Sequence, residues 1–178
     1  ADDIAKEFGV SYWIKGGGNE YQIVEELKKR KISLIQTVNF PQAIDVSDLY
    51  ETDWVYLKDM KEWEWAPKNL AILHENNIPF ALSTADLKDK SIFIKNIQKA
   101  IQAGITEKEI IRALTEIPAK LLNVENQLGS LHKGKKANFL ITSTNFFDAK
   151  NILYENWILG KKNELVDMLS LIHISEPT

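Results

Sequence analysis

The sequence predicts an α/β protein built on a parallel sheet. Three observations predict it. Helix-like and strand-like segments alternate from residue 1 to residue 114, the rhythm of strands joined by crossover helices. Helix-capping and turn residues fall where this rhythm needs each element to stop. After Pro118 the pattern changes to a glycine-containing turn and two apolar strands.

Residues 1–8 form an amphipathic helix end that Gly9 closes as a C-terminal cap. Residues 10–14 (VSYWI) are rich in β-branched and aromatic side chains and read as a strand. It runs into Lys15-Gly16-Gly17-Gly18-Asn19-Glu20. Residues 21–30 form the next helix, with Ile23, Val24 and Leu27 on one face. Residues 32–38 (ISLIQTV) form the next strand, ended by Asn39-Phe40-Pro41.

Residues 42–66 interrupt the alternation. This long excursion is acidic and carries Trp54, Trp63 and Trp65, with a helical piece near residues 58–65. Pro67 opens the helix at residues 70–75, an early-turn position that proline tolerates. Residues 78–84 (IPFALST) form a strand, and residues 91–103 a helix closed by Gly104. Thr106 and Glu109 have capping-box spacing for a helix reaching Leu114. Pro118 lacks an amide hydrogen and disfavours helix at Ile117, so the helix stops and restarts there, with Thr115 as cap. A short helical run at residues 119–122 follows. A hairpin-like turn spans residues 128–134, and a mostly buried strand residues 137–141. Phe146-Phe147-Asp148 is a loop, residues 152–159 a strand, and Gly160-Lys161-Lys162 a turn.

Composition narrows the function classes. The 178 residues are 44% hydrophobic and 26% charged, with a net charge of −3. This suits one modest globular core and gives no reason to expect nucleic acid or an anionic membrane as a partner. No Cys is present, so disulfides, thiol nucleophiles and Cys metal sites are excluded; the compartment stays open. No run is long and apolar enough to span a bilayer. The chain does not start at Met and opens within a helical pattern, as expected of a fragment of a larger protein. Residues 169–178 (LSLIHISEPT) resemble a translated sequencing-adapter read-through and are set aside.

The stretch 114–142, LTEIPAKLLNVENQLGSLHKGKKANFLIT, resembles the C-terminal signature of the amidohydrolase superfamily. There, T-x-x-P-A-x-x-L-G leads into G-x-L-x-x-G-K-x-A-D-F/L. Asn123 stands where that family usually has Gly, and Asn138 where it usually has Asp. The phrases KGGGNEYQ (15–22), TVNFPQAIDV (37–46), EWEWAPKN (62–69) and IPFALST (78–84) are similar to those of large bacterial, imidazolonepropionase-like amidohydrolases. The resemblance implies the last three strand–helix units of a (β/α)8 TIM barrel over residues 1–123. It also implies return strands of a composite β-sandwich over residues 124–165, then a tail at 166–178. The implied activity is metal-dependent hydrolysis of carbon–nitrogen bonds, non-peptide or in dipeptides. The partners would be the remainder of the same barrel and a small or peptide-like substrate.

A barrel would place its site at the C-terminal strand ends. That selects residues 15–20, 37–40 and 83–88. The family's active members hold a divalent metal such as zinc with His residues and an Asp at strand ends. Here the first strand ends in Lys15-Gly16-Gly17 and the second in Asn39-Phe40-Pro41, neither with His. Ala85 stands where the family Asp is expected, and Asp86 follows it. A one-residue shift turns a side chain to the other face, so Asp86 reads as a catalytic candidate or as a solvated loop or helix-cap residue. No metal ligand is evident. Lys15 and Asn39 are the substrate-binding candidates, and the three glycines could either cradle an anion or only make a tight turn. His74, His132 and His173 have no partner His at ligand spacing and read as surface or packing residues. Trp63 and Trp65 either cover a site or anchor a loop. The missing imidazoles also leave open a non-catalytic, binding or structural role.

Overall fold

The computed structural model describes residues 2–10, 12–43 and 55–165. Its first sheet has three strands in the order β1-β2-β3, all parallel. These are β1 (Ile14–Lys15), β2 (Leu34–Thr37) and β3 (Phe80–Ser83). The connecting helices are α1 (Asp2–Phe8) before the sheet and α2 (Val24–Arg30) between β1 and β2. Between β2 and β3 lie α3 (Leu57–Trp65) and α4 (Asn69–Glu75). After β3 come α5 (Phe93–Gln102), α6 (Glu107–Leu114) and α7 (Glu116–Leu121). A second sheet of antiparallel strands, β4 (Phe139–Thr142), β5 (Leu153–Ile158) and β6 (Lys161–Glu164), completes the described chain. No described helix is long and apolar enough to cross a membrane.

Register fixes which side chains share a face. Ile14, Leu34 and Phe80 are level across the sheet, as are Lys15, Ile35 and Ala81. Leu34, Val38, Phe80 and Leu82 pack with Leu27, Leu70, Leu73, Ile97, Ala100, Ile110 and Ala113 from the helices. Period-two alternation therefore puts Lys15, Ile35, Thr37, Ala81 and Ser83 on the face away from that helical core. Gln36 shares the helical face and is fully buried.

Several elements depart from expectation, each for a local reason. The strand expected at residues 10–14 shrinks to Ile14–Lys15. The Val10 amide instead closes α1 by donating to the Ala5 carbonyl. The Thr106 cap forms, its hydroxyl accepting from the Glu109 amide. The reciprocal half of the box does not, because the Glu109 carboxylate turns to Arg112 and His74. Thr115 does not cap α7; its hydroxyl donates back to the Ile111 carbonyl. Pro67 sits in a 3-10 turn, Ala66–Lys68, that joins α3 to α4. The strand expected to be mostly buried, β4, leaves Leu140 and Ile141 exposed. Its aromatic contact is at its first residue, where Phe139 stacks on Trp157 with centroids 5.3 Å apart. The last turn falls one residue early, at Leu159-Gly160, where both residues have positive φ as a two-residue hairpin loop requires. The chain then forms β6, so three antiparallel strands stand among the described residues where two were expected. Residues 44–54 and 166–178, which include Trp54, His173 and the read-through-like tail, lie outside the described residues.

The signature stretch has physical reasons for its residues. Asn123 follows α7 at φ 56°, the left-handed conformation in which Asn is the usual substitute for Gly. Asn138 accepts a hydrogen bond from the Leu159 amide through its side-chain oxygen at 2.7 Å, a bond that Asp could also accept. Gly129 has φ 87°, and a Cβ there would lie 2.8 Å from Ala119 Cβ and 3.0 Å from the Thr115 carbonyl oxygen. Only glycine fits this turn against α7.

Candidate functional site at the strand ends

Lys15 is the last residue of β1 and emerges on the face away from the helical core. Asp86 follows β3 in the left-handed conformation, φ 65°. The two are 71 residues apart in sequence, on strands separated by β2. Yet the Lys15 Nζ lies 2.8 Å from both carboxylate oxygens of Asp86. Both side chains are about half exposed, 53% and 45%, so solvent screens the pair and its net stabilisation is about 0–1 kcal/mol. On the same face, Thr37 and Ser83 are paired one layer beyond Ile35 and Ala81. The Ser83 hydroxyl accepts from the Ala85 amide at 3.1 Å, which shapes the turn that delivers Asp86.

The three glycines after Lys15 hold an anion, but an internal one. The Glu20 carboxylate is buried, 6% exposed. It accepts from the Gly17 amide at 2.6 Å and from the Gly18 amide at 3.1 Å. Asn69, at the start of α4, donates to Glu20 at 2.8 Å and accepts from the Tyr21 amide at 2.8 Å. Its amide also approaches the Gln36 side-chain oxygen at 3.5 Å. Gly16 presses on the same glutamine: a Cβ there would fall 2.2 Å from Gln36 Nε2. The Gln36 Nε2 has no hydrogen-bond partner among the described residues. Glu20, Gln36 and Asn69 thus form a buried polar support behind the strand that carries Lys15. Of the two readings of the glycines, this geometry favours the tight turn over the anion cradle, since the Gly17 and Gly18 amides are already taken.

The other candidates separate. Asn39 is exposed beyond β2 and makes no side-chain bond to Lys15 or Asp86. Its neighbour Val38 is anchored by its carbonyl, which accepts from the buried Asn96 side chain at 2.8 Å. Trp65 stacks on Tyr21 with centroids 5.8 Å apart, under the Lys68 ammonium at 4.8 Å. That contact ties α3 to the loop after β1, the anchoring role. Trp63 is half exposed. His74 lies on α4, its Nδ1 3.4 Å from Glu109. His132 lies in a turn, its Nδ1 2.9 Å from the Ser130 hydroxyl, which also accepts from Lys135 at 2.7 Å. That turn borders a cleft of about 540 Å³ lined by Lys120, Glu125, His132, Lys133 and Lys135, all from the signature stretch.

The donor set at the described strand ends does not fit a divalent metal. No group of three or more His, Cys, Asp or Glu side chains able to hold an ion occurs among the described residues. The carboxylate that does reach the strand ends is engaged by an ammonium on both oxygens. Sequence reasoning picked out Lys15 and Asp86 separately, but not their pairing. It missed the roles of Gln36 and Asn69.

Comparison with known proteins places this architecture. An amidohydrolase from Thermotoga maritima MSB8 superposes with a TM-score of 0.69 at 25% identity, covering 90% of this chain and 38% of that one. A second amidohydrolase gives 0.63 at 13% identity, covering 90% and 41%. A Xaa-Pro dipeptidase with methionine bound in its active site gives 0.57 at 16% identity, covering 91% and 47%. The chain thus spans less than half the length of these structures. No curated protein matches the sequence. The model of the amidohydrolase family matches residues 64–168, more than half of the chain. This chain belongs to the amidohydrolase family.

Proposed function

We propose that the chain is part of an amidohydrolase-type hydrolase acting on carbon–nitrogen bonds, either non-peptide or in dipeptides. It would supply three neighbouring strand–helix units of a (β/α)8 barrel up to residue 123 and return strands of a β-sandwich through residue 165. The observation that carries this reading is the parallel β1-β2-β3 sheet, helix-covered on one face, within a chain of this family. Among the described residues the two outer strands of that sheet each have one unpaired edge, which suits continuation into further strands. In this reading Lys15 and Asp86 lie on the rim, where barrel enzymes keep their chemistry. The residues that hold the family's metal would come from other strands.

A second reading is favoured by the Lys15–Asp86 pair itself: an amidohydrolase-like domain that binds rather than hydrolyses. One experiment separates the two. The protein containing a whole barrel around this segment is purified, its zinc, manganese and iron content measured, and dipeptides and N-acyl amino acids offered as substrates. Stoichiometric metal together with turnover supports the hydrolase. Protein without stoichiometric metal that turns over none of these refutes it and supports the binding domain.

A further inference from the structure

We propose that the cleft of the signature turn binds a small molecule carrying oxyanion groups, carboxylate or phosphate. Its lining lies wholly between Glu116 and Lys135 and shares no residue with the strand ends, so the proposal is independent of the hydrolase reading. Charge comes first. Lys120, Lys133 and Lys135 line this one cleft of about 540 Å³, in a protein whose net charge is −3. None of the three is in ion-pair contact with a carboxylate among the described residues. The two acids that share the cleft, Glu116 and Glu125, do not neutralise them. Glu116 accepts from Arg112 Nε at 3.3 Å, and Glu125 keeps its Oε2 buried with no hydrogen-bond partner among the described residues. Cations gathered in a concave place repel one another, and its walls focus their field, so an anion is held there better than on an open surface.

Preorganisation separates this cleft from a patch of freely solvated lysines. Lys135 is half-buried, and its ammonium donates to the Ser130 hydroxyl at 2.7 Å and approaches the Leu128 carbonyl at 3.5 Å. Both partners are neutral, so the charge is fixed in place without being cancelled. The turn that carries it is fixed as well. The Lys135 amide donates to the His132 carbonyl at 3.1 Å and the Lys136 amide to the Gln127 carbonyl at 2.9 Å, while Gly129 presses on Ala119 of α7. A cation held in advance loses little freedom when a ligand arrives. The volume falls in the range of about 300–1,000 Å³ typical of small-molecule sites, too large for a bare ion. A molecule with two oxyanion groups matches lysines spread between α7 and the turn.

The test is isothermal titration of the whole-barrel protein with succinate and, separately, with pyrophosphate, at constant ionic strength. At least one probe should bind with a Kd of about 1 mM or tighter, and Lys120→Met/Lys133→Met should weaken it by about tenfold or more. Lys120→Arg/Lys133→Arg, which keeps both charges, should bind as wild type. Both lysines are exposed, so the variants should keep the fold, which an unchanged Tm checks. Binding of succinate alone would assign a carboxylate ligand and binding of pyrophosphate alone a phosphate one; either supports the site. Binding of neither probe would overturn the proposal. Binding that the folded methionine pair retains would also overturn it, by placing the anion elsewhere. Metal content and turnover of the whole-barrel protein report on the hydrolase reading separately.

Discussion

Replacing Asn69 should damage the candidate site from behind. Asn69 is 2% exposed and makes two strong bonds, accepting from the Tyr21 amide and donating to the Glu20 carboxylate, both at 2.8 Å. Asn69→Ala orphans a backbone amide, worth about 1–3 kcal/mol when buried, and deletes a hydrogen bond to a charged group, worth about 1.5–3 kcal/mol. The two losses share one site and do not add fully; the expected cost is about 3–5 kcal/mol. At roughly 2–4 °C per kcal/mol for a chain of this size, Tm should fall by roughly 6–20 °C, measured by circular dichroism. Asn69→Asp sharpens the test. It keeps an acceptor for Tyr21 but sets a second carboxylate against Glu20. Two like charges in one buried site repel, so this variant should be destabilised at least as much as Asn69→Ala. An Asn69→Ala protein within about 1 kcal/mol of wild type, or an Asn69→Asp protein as stable as wild type, would show that the Glu20–Asn69 support carries no weight.

Two further outcomes follow from particular contacts. Gly129→Ala should destabilise by about 2–4 kcal/mol, combining a left-handed backbone cost with overpacking against Ala119, and urea unfolding would read it as a lower midpoint at unchanged slope. The Glu155 carboxyl is held below its ordinary range by the hydrogen bond from Lys162 and then that from Trp157. Its contribution is therefore fully present above the ordinary carboxylate pKa and fades as pH falls through the lowered folded value. Glu155→Gln should flatten the acid limb of the Trp fluorescence titration between about pH 5 and 3.

How much was legible in the sequence depends on the range of the interaction. The alternation that yields β1, β2 and β3, the turn against Gly129, and the cap at Thr106 are local signals, set by residues within one or two turns of each other. The signature stretch was legible because its proline, glycines and apolar strand follow each other without interruption. The polar support was not legible. Glu20 and Asn69 are 49 residues apart, and nothing in the pattern around Gln36 distinguishes a buried amide from a strand residue facing water. The Lys15–Asp86 pair was half legible: strand-end logic chose both residues, but only the register of three strands brings them within 2.8 Å. Thr115 misled because its hydroxyl has two carbonyl and amide options at the junction of α6 and α7, and the backward one won.

The bonding of Asn69 to both Glu20 and Tyr21 means that the turn after β1 cannot shift without moving the first residue of α4 or tearing two short hydrogen bonds. Lys15 therefore reaches any approaching molecule already immobilised at its base. Little backbone freedom remains to be surrendered there on contact, so in the binding reading proposed above discrimination would rest on fit and charge rather than on the loop wrapping around its guest.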